Sequence, residues 1–220
     1  MNERELTGYP SIDKPWQQYY SEAACRAPLP ACTVWENIYE RNKAHPDDTA
    51  LLYFGKKISY GKLFSEVDRT ARALAHLGVK NGDNAAVCMP AVPEAIYTIL
   101  ALNKLGANAG MLNPTFSEAR LTERVNEMEA DVLLVVNELY PVVHNVILKT
   151  TVRHVVTCPA VNSLGAFARL AKKAKPIPGT ISWNTFIRQG QGTAYEIAPY
   201  EKQKPAIMVF SSGTTGASKG

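Results

Sequence analysis

From Asn84 onward the sequence alternates short, continuous apolar runs with longer amphipathic stretches, and this alternation limits the possible folds more than any other feature. The runs are "NAAVCM" (84–89), "ANAGML" (107–112), "DVLLVV" (131–136), "RHVVTC" (153–158) and "AIMVF" (206–210). A run that is apolar at nearly every position has no face to give to water, so a strand built from it must be covered on both sides. Helix-length stretches stand between the runs. Pro93 opens one through Ile96, Ile99, Leu100 and Leu105, closed by Gly106; others fall at Ser117–Met128, near 138–149 and near 162–175. Strand–helix alternation of this kind predicts an α/β fold: one parallel sheet over about residues 80–210 with helices on both faces. Ligands of such sheets bind beyond the carboxyl ends of the strands.

The chain before Asn84 follows a different pattern. Residues 1–32 are rich in aromatic residues and Pro without a sustained period, and "YPSIDKPWQQYY" reads as an irregular arm. Residues 33–220 read as one domain portion. Thr33 and Glu36 form a capping box for a helix whose apolar face is Trp35, Ile38 and Tyr39, ended by His45-Pro46. A hairpin follows, "TALLYF" and "ISY" around a turn at Gly55-Lys56-Lys57. Then comes a helix with Leu63, Val67, Ala71, Leu74 and Leu77 on one face and Gly78 as its stop. Toward the end, "KPIPGT" reads as a loop, "SWNTFIRQ" as a short helix and "GQGTAYEIAPYEKQKP" as a polar connection.

Composition excludes several classes of function. The net charge of +4, from 24 Lys+Arg against 20 Asp+Glu, is too small and dispersed for a nucleic-acid partner. The densest basic stretch, "RLAKKAK" (169–175), reads as the wet face of a helix. No apolar run reaches 18 residues, so no transmembrane segment is expected. The four Cys (25, 32, 88 and 158) have neither CxxC nor metal-ligand spacing, so no metal ligand is nominated. Cys88 and Cys158 sit in strand-like runs as small hydrophobes, and a reduced, cytoplasmic setting is expected.

The chemistry concentrates in "FSSGTTGASKG" (210–220), directly after the last apolar run. Gly213 and Gly216 allow successive backbone N–H groups to converge on one point. Ser211, Ser212, Thr214 and Thr215 add hydroxyl donors, and Lys219 adds a full positive charge. A polyphosphate needs such donors and such charge together. The loop is not a Walker loop: counting from Gly213, the sixth position is Ser218 and Lys219 is followed by Gly220, so the magnesium-binding hydroxyl is missing.

This loop closely resembles the signature phosphate loop of the adenylate-forming superfamily of acyl- and aryl-CoA synthetases, luciferases and peptide-synthetase adenylation domains. "ISYGKLFSEV" (58–67) and "LALNKLGANAGMLNP" (100–114), with Gly106 and Pro114, resemble two further landmarks in the same order. Asn113-Pro114 and the aromatic arm lean toward acyl-CoA synthetases and long-chain fatty acid–CoA ligases. Ser218 stands where the family usually has Pro, which loosens the loop without removing a ligand.

The resemblance implies the N-terminal subdomain of the adenylate-forming fold, truncated, since the chain has less than half the usual length. It implies an ATP-dependent ligase that activates a carboxylic acid as acyl-AMP and passes it to coenzyme A. Ser211, Ser212, Gly213, Thr214, Thr215, Gly216 and Lys219 are expected to contact the ATP phosphates, with Lys219 neutralising pyrophosphate charge. Magnesium ligands, adenine contacts and the catalytic lysine of the family fall outside the matched segments. The chain alone is therefore expected to be inactive and, with part of its apolar surface uncovered, to self-associate. Three alternatives stand beside this reading: a non-enzymatic binding module, a peptide-synthetase adenylation domain, and another nucleotide enzyme such as a kinase.

Overall fold

A computed structural model of the protein describes residues 7–164 and 176–210. The chain divides into two compact units, Met1–Ala31 and Cys32–Gly220. In the first, α1 (Pro10–Asp13), a 3-10 turn (Pro15–Tyr19) and α2 (Glu22–Arg26) bury none of their residues. These short turns of helix stand where the sequence predicts irregular chain.

The second unit begins with α3 (Val34–Asn42), and the capping box is present: the Thr33 hydroxyl accepts from Glu36 N, and Glu36 Oε2 accepts from Thr33 N. The helix ends at Asn42, three residues before His45. The hairpin is β1 (Thr49–Tyr53) and β2 (Lys56–Ser59), paired antiparallel. Its turn is Phe54-Gly55, with φ of 46° and 79°, so Lys56 and Lys57 lie in β2 and not in the turn as expected. Two left-handed residues match the right-handed twist of the flanking strands.

After α4 (Tyr60–His76), the alternation appears as predicted: β3 (Asn84–Cys88), α5 (Pro93–Leu105), β4 (Asn108–Met111), α6 (Glu118–Glu127), β5 (Val132–Val136), α7 (Tyr140–Ile147) and β6 (His154–Cys158). A 3-10 turn (Asn137–Leu139) precedes α7, so the helix expected near 138–149 begins as a tighter coil. Residues 165–175, which hold most of the helix expected near 162–175 and all of the basic stretch, lie outside the described residues. Then come β7 (Ile181–Ser182), α8 (Trp183–Gln189) and β8 (Ile207–Val209). The two-residue β7 is absent from the sequence reading, being too short for a period to show.

Six strands form one parallel sheet in the order β7-β6-β5-β3-β4-β8. Successive strand residues point to opposite faces, and the two cores divide accordingly. Ala85, Val87, Val132 and Leu134 join α3, α4, α5 and α8 on one face. Ala86, Cys88, Leu133 and Val135 join α6 and α7 on the other. Both faces are therefore covered, which is why the runs are apolar throughout. Burial also pushes the Cys88 thiol up to about 11 and the Cys158 thiol higher still, so neither is a reactive thiolate.

Two close approaches fix the helical layer. Gly106, at φ 71°, ends α5 in the left-handed region. At Gly190 a Cβ would stand 2.4 Å from Ala73 Cα, so the end of α8 lies directly on the α4 backbone.

Candidate functional site

The nominated loop follows β8, so the question is what delivers that strand to its place. The chain must travel from β7 at one edge of the sheet to β8 at the other. The polar connection that makes this journey is tied down by a cluster on α4 and α5. The Tyr195 hydroxyl donates to Asp68 Oδ1, the Arg72 guanidinium donates to the Thr193 carbonyl at 2.9 Å, and Ala198 N donates to the Lys104 carbonyl at 3.0 Å. Lys104 itself is buried. Its ammonium lies 4.7 Å from the Trp35 ring centre, 5.1 Å from that of Tyr195 and 3.2 Å from Asp68 Oδ1. Burial pushes the Asp68 carboxyl up, but hydrogen bonds from Tyr195, Arg72 and Lys104 outweigh it and hold the group below the usual carboxylate range. The same burial and the Asp68 bond raise the Tyr195 phenol well above its ordinary value, so it stays a neutral donor.

β8 then pairs with β4 in parallel, Ala109 with Ile207 and Met111 with Val209. Its carboxyl end emerges beside the exit of β4, where Asn113 Oδ1 accepts from Thr115 N at 3.0 Å and from the Thr115 hydroxyl at 2.8 Å. This closed turn is the Asn-Pro part of the second landmark. Phe210 is buried with Leu112, Leu121 and Val125, and the Arg124 guanidinium lies 5.6 Å from its ring centre. Arg124 is held by Glu123 at 3.0 Å and by Glu127. The last apolar side chain before the loop is thus anchored in the core, at the carboxyl end of a parallel strand. All seven nominated residues (Ser211, Ser212, Gly213, Thr214, Thr215, Gly216 and Lys219) lie outside the described residues. The structure describes the platform that carries them.

Acidic residues elsewhere in the described sheet and helices take structural roles. Asp83 Oδ2 accepts from Lys80 N at 2.9 Å and closes its turn. Asp131 pairs with Arg153 at the opening of β5 and β6. Glu94 stands in the first turn of α5, where a carboxylate suits the helix dipole. In the structure it is 1% exposed, and Oε1 accepts from Asn162 Nδ2 at 2.7 Å and the Ser163 hydroxyl at 2.6 Å. The only local signal for this was a Pro-Glu pair at a helix start. Among the described residues no three His, Cys, Asp or Glu side chains converge to hold a metal ion, and no helix is long and apolar enough to cross a membrane.

Comparison with known proteins agrees with this platform. The AMP-binding enzyme family matches residues 38–220, which include the loop. Acetyl-coenzyme A synthetase 1 of Candida albicans is 31% identical over 184 residues, covering 80% of this chain and 27% of that protein. Acetyl-coenzyme A synthetase of Pyrobaculum arsenaticum is 32% identical over 170 residues, covering 75% of this chain and 25% of that protein. The chain thus spans about a quarter of the length of these relatives. Among solved structures, the anthranilate CoA ligase AuaEII in complex with anthranoyl-AMP superposes with a TM-score of 0.73 at 24% identity, over 90% of this chain and 35% of that one. The long-chain-fatty-acid-CoA ligase FadD1 from Archaeoglobus fulgidus gives 0.66 at 19%, over 86% and 36%. The parallel sheet with helices on both faces is the fold these ligases share with it, and the chain belongs to the AMP-binding enzyme family.

Proposed function

We propose that this chain forms the phosphate-holding part of an ATP-dependent acid–thiol ligase. A carboxylate oxygen of the acid attacks the α-phosphorus of ATP, the bond from that phosphorus to the β-bridging oxygen breaks, and acyl-AMP and pyrophosphate form. The thiol of coenzyme A then attacks the acyl carbon as a thiolate, and AMP leaves. In this reading Ser211, Ser212, Gly213, Thr214, Thr215 and Gly216 hold the β- and γ-phosphates, and Lys219 offsets the negative charge that grows on pyrophosphate as it departs. Contacts that strengthen as charge develops accelerate the step, whereas equal binding throughout does not.

The observation that carries the reading is the family match running through the loop, on a strand whose carboxyl end is anchored at the rim where such sheets bind ligands. The curated relatives, acetyl-coenzyme A synthetases, support a carboxylic acid as the substrate. The four free cysteines support a cytoplasmic setting.

Two measurements test it. Acid-dependent exchange between ATP and pyrophosphate should be absent from the 220-residue chain, at the level of a Lys219→Ala control, because a phosphate loop alone supplies no adenine contact. Where the segment is followed by the remainder of an adenylating enzyme, Lys219→Ala should lower adenylate formation by roughly 10²–10³-fold, the usual loss for a charge-stabilising donor. Unchanged turnover in that setting would remove Lys219 from the mechanism.

A further inference from the structure

Four strands across the sheet from β8, at about 4.8 Å per strand, lies a cleft that plays no part in the reading above. It is bounded by the hairpin, α4, α5, α8 and the turn after β6, and encloses about 510 Å³, within the range of small-molecule sites. Lys56 and Lys57 of β2 line it with Lys62 and Arg69 of α4, against two carboxylates, Glu66 and Glu94.

These cations are poorly neutralised. Lys62 and Arg69 share one oxygen, Glu66 Oε1, at 2.6 and 2.8 Å. Lys56 donates to the Ser163 carbonyl at 2.6 Å, which is no counter-charge. Lys57 has no hydrogen-bond or ion-pair partner among the described residues. Four cations and two carboxylates leave an excess of two positive charges in the described lining. A phosphate monoester, at about −1.5 to −2 near neutral pH, matches that excess.

The wall of the cleft adds a second requirement. Glu94 Oε1 is satisfied by Asn162 and Ser163, but Oε2 is buried and has no donor among the described residues. A buried carboxylate oxygen left unpaired is costly, so its place in a cationic cleft calls for a ligand that brings a donor of its own. We propose that the cleft binds a small phosphate monoester carrying a hydroxyl, of the glycerol phosphate class. The phosphate lies among Lys57, Lys62 and Arg69, and the hydroxyl donates to Glu94 Oε2. Tyr53 and Lys56 of the hairpin donate to the Ala160 and Ser163 carbonyls, so the hairpin and the turn after β6 are already joined beside this site.

Calorimetry on the whole chain tests this with glycerol 3-phosphate, methyl phosphate and glycerol. Glycerol 3-phosphate should bind about tenfold more tightly than methyl phosphate, and glycerol not at all. Lys57→Ala combined with Arg69→Ala, both surface changes, should weaken both phosphates about tenfold with an unchanged circular dichroism spectrum. Glu94→Gln should erase the preference between the two phosphates while phosphate binding persists. An arm with phosphatidic acid vesicles assigns the source: binding only to vesicles, lost in the double variant, would place the same phosphate on a lipid. Absence of binding in every arm, or binding that survives the double variant, would overturn the site. Equal affinity for the two phosphates in the unaltered chain would overturn the role of Glu94.

Discussion

β5 and β8 are short apolar runs set parallel in one sheet, and in the sequence they look alike. In place they differ. All five residues of β5 are buried between the two helical layers, with neighbours on both sides. Among the described residues β8 has one strand partner, β4, and leaves Ile207 42% and Val209 66% exposed. The strand that leads into the loop proposed to hold phosphate is therefore the less covered of the two, held by its pairing, by Phe210 and by the tethered connection before it. The proposed phosphate site thus follows the less secured strand, as expected of binding segments drawn from the low-stability end of a structure.

The largest test of that contrast is a pair of truncations. Leu134→Ala in β5 should cost about 2–5 kcal/mol, the range for a fully buried leucine. Ile207→Ala in β8 should cost under about 1 kcal/mol, as at a half-exposed site. Urea unfolding followed by circular dichroism reads both. Equal losses would mean that β8 is buried as deeply as β5, and the contrast would fail.

A smaller effect concerns the layer under the connection. Gly190→Ala would push a methyl group against the Ala73 backbone, where no rotamer offers relief. It should destabilise by about 1–3 kcal/mol, as overpacking does, and loosen α8 from α4. A melting temperature unchanged in Gly190→Ala would show that the two helices separate easily.

The hairpin sharpens the comparison from outside the main sheet. Leu52 and Phe54 are 69% and 84% exposed, while Leu51 and Tyr53 pack inward. Trp35 of α3, by contrast, is buried against Tyr39 and Phe64. We expect the 220-residue chain to self-associate through the hairpin's outer face, with Phe54→Ser shifting it toward monomer in sedimentation velocity. Slow hydrogen exchange across 49–59 in a proven monomer would contradict this.

These contrasts show what was legible in the sequence. Each strand of the main sheet was visible, β7 excepted, because burial on both faces makes the run apolar from end to end. The order of strands was not, since pairing is set by contacts far apart in the chain; nothing in "AIMVF" distinguishes an edge from a centre. The capping box on α3 was legible because its partners are three residues apart. Glu94 was not, because its partners Asn162 and Ser163 stand 68 and 69 positions away. The hairpin turn was misplaced because two polar lysines look like turn residues, whereas the actual turn puts Phe54 in a left-handed conformation that bulky side chains rarely adopt. The loop itself was the plainest signal, since its glycines, hydroxyls and lysine are contiguous.

The smallest effect is electrostatic and tests how β8 is tethered. Asp68 gathers Tyr195, Arg72 and Lys104, and its carboxyl is held below the usual range in the folded chain. A carboxyl depressed on folding contributes stability that is full above its unfolded pKa, about 3.9, and is lost as pH falls through the folded value. The Asp68 side chain is 37% exposed, so solvent screening keeps the contribution at or below about 1 kcal/mol. Asp68→Asn should therefore change global unfolding little. It should instead speed hydrogen exchange in the 191–206 connection and in Ile207–Val209 at neutral pH, and flatten the acid dependence of that exchange. The amides of Val132–Val136 should not respond. If β5 and β8 respond equally to Asp68→Asn, the cluster supports the sheet as a whole and the separate tether on β8 is disproved.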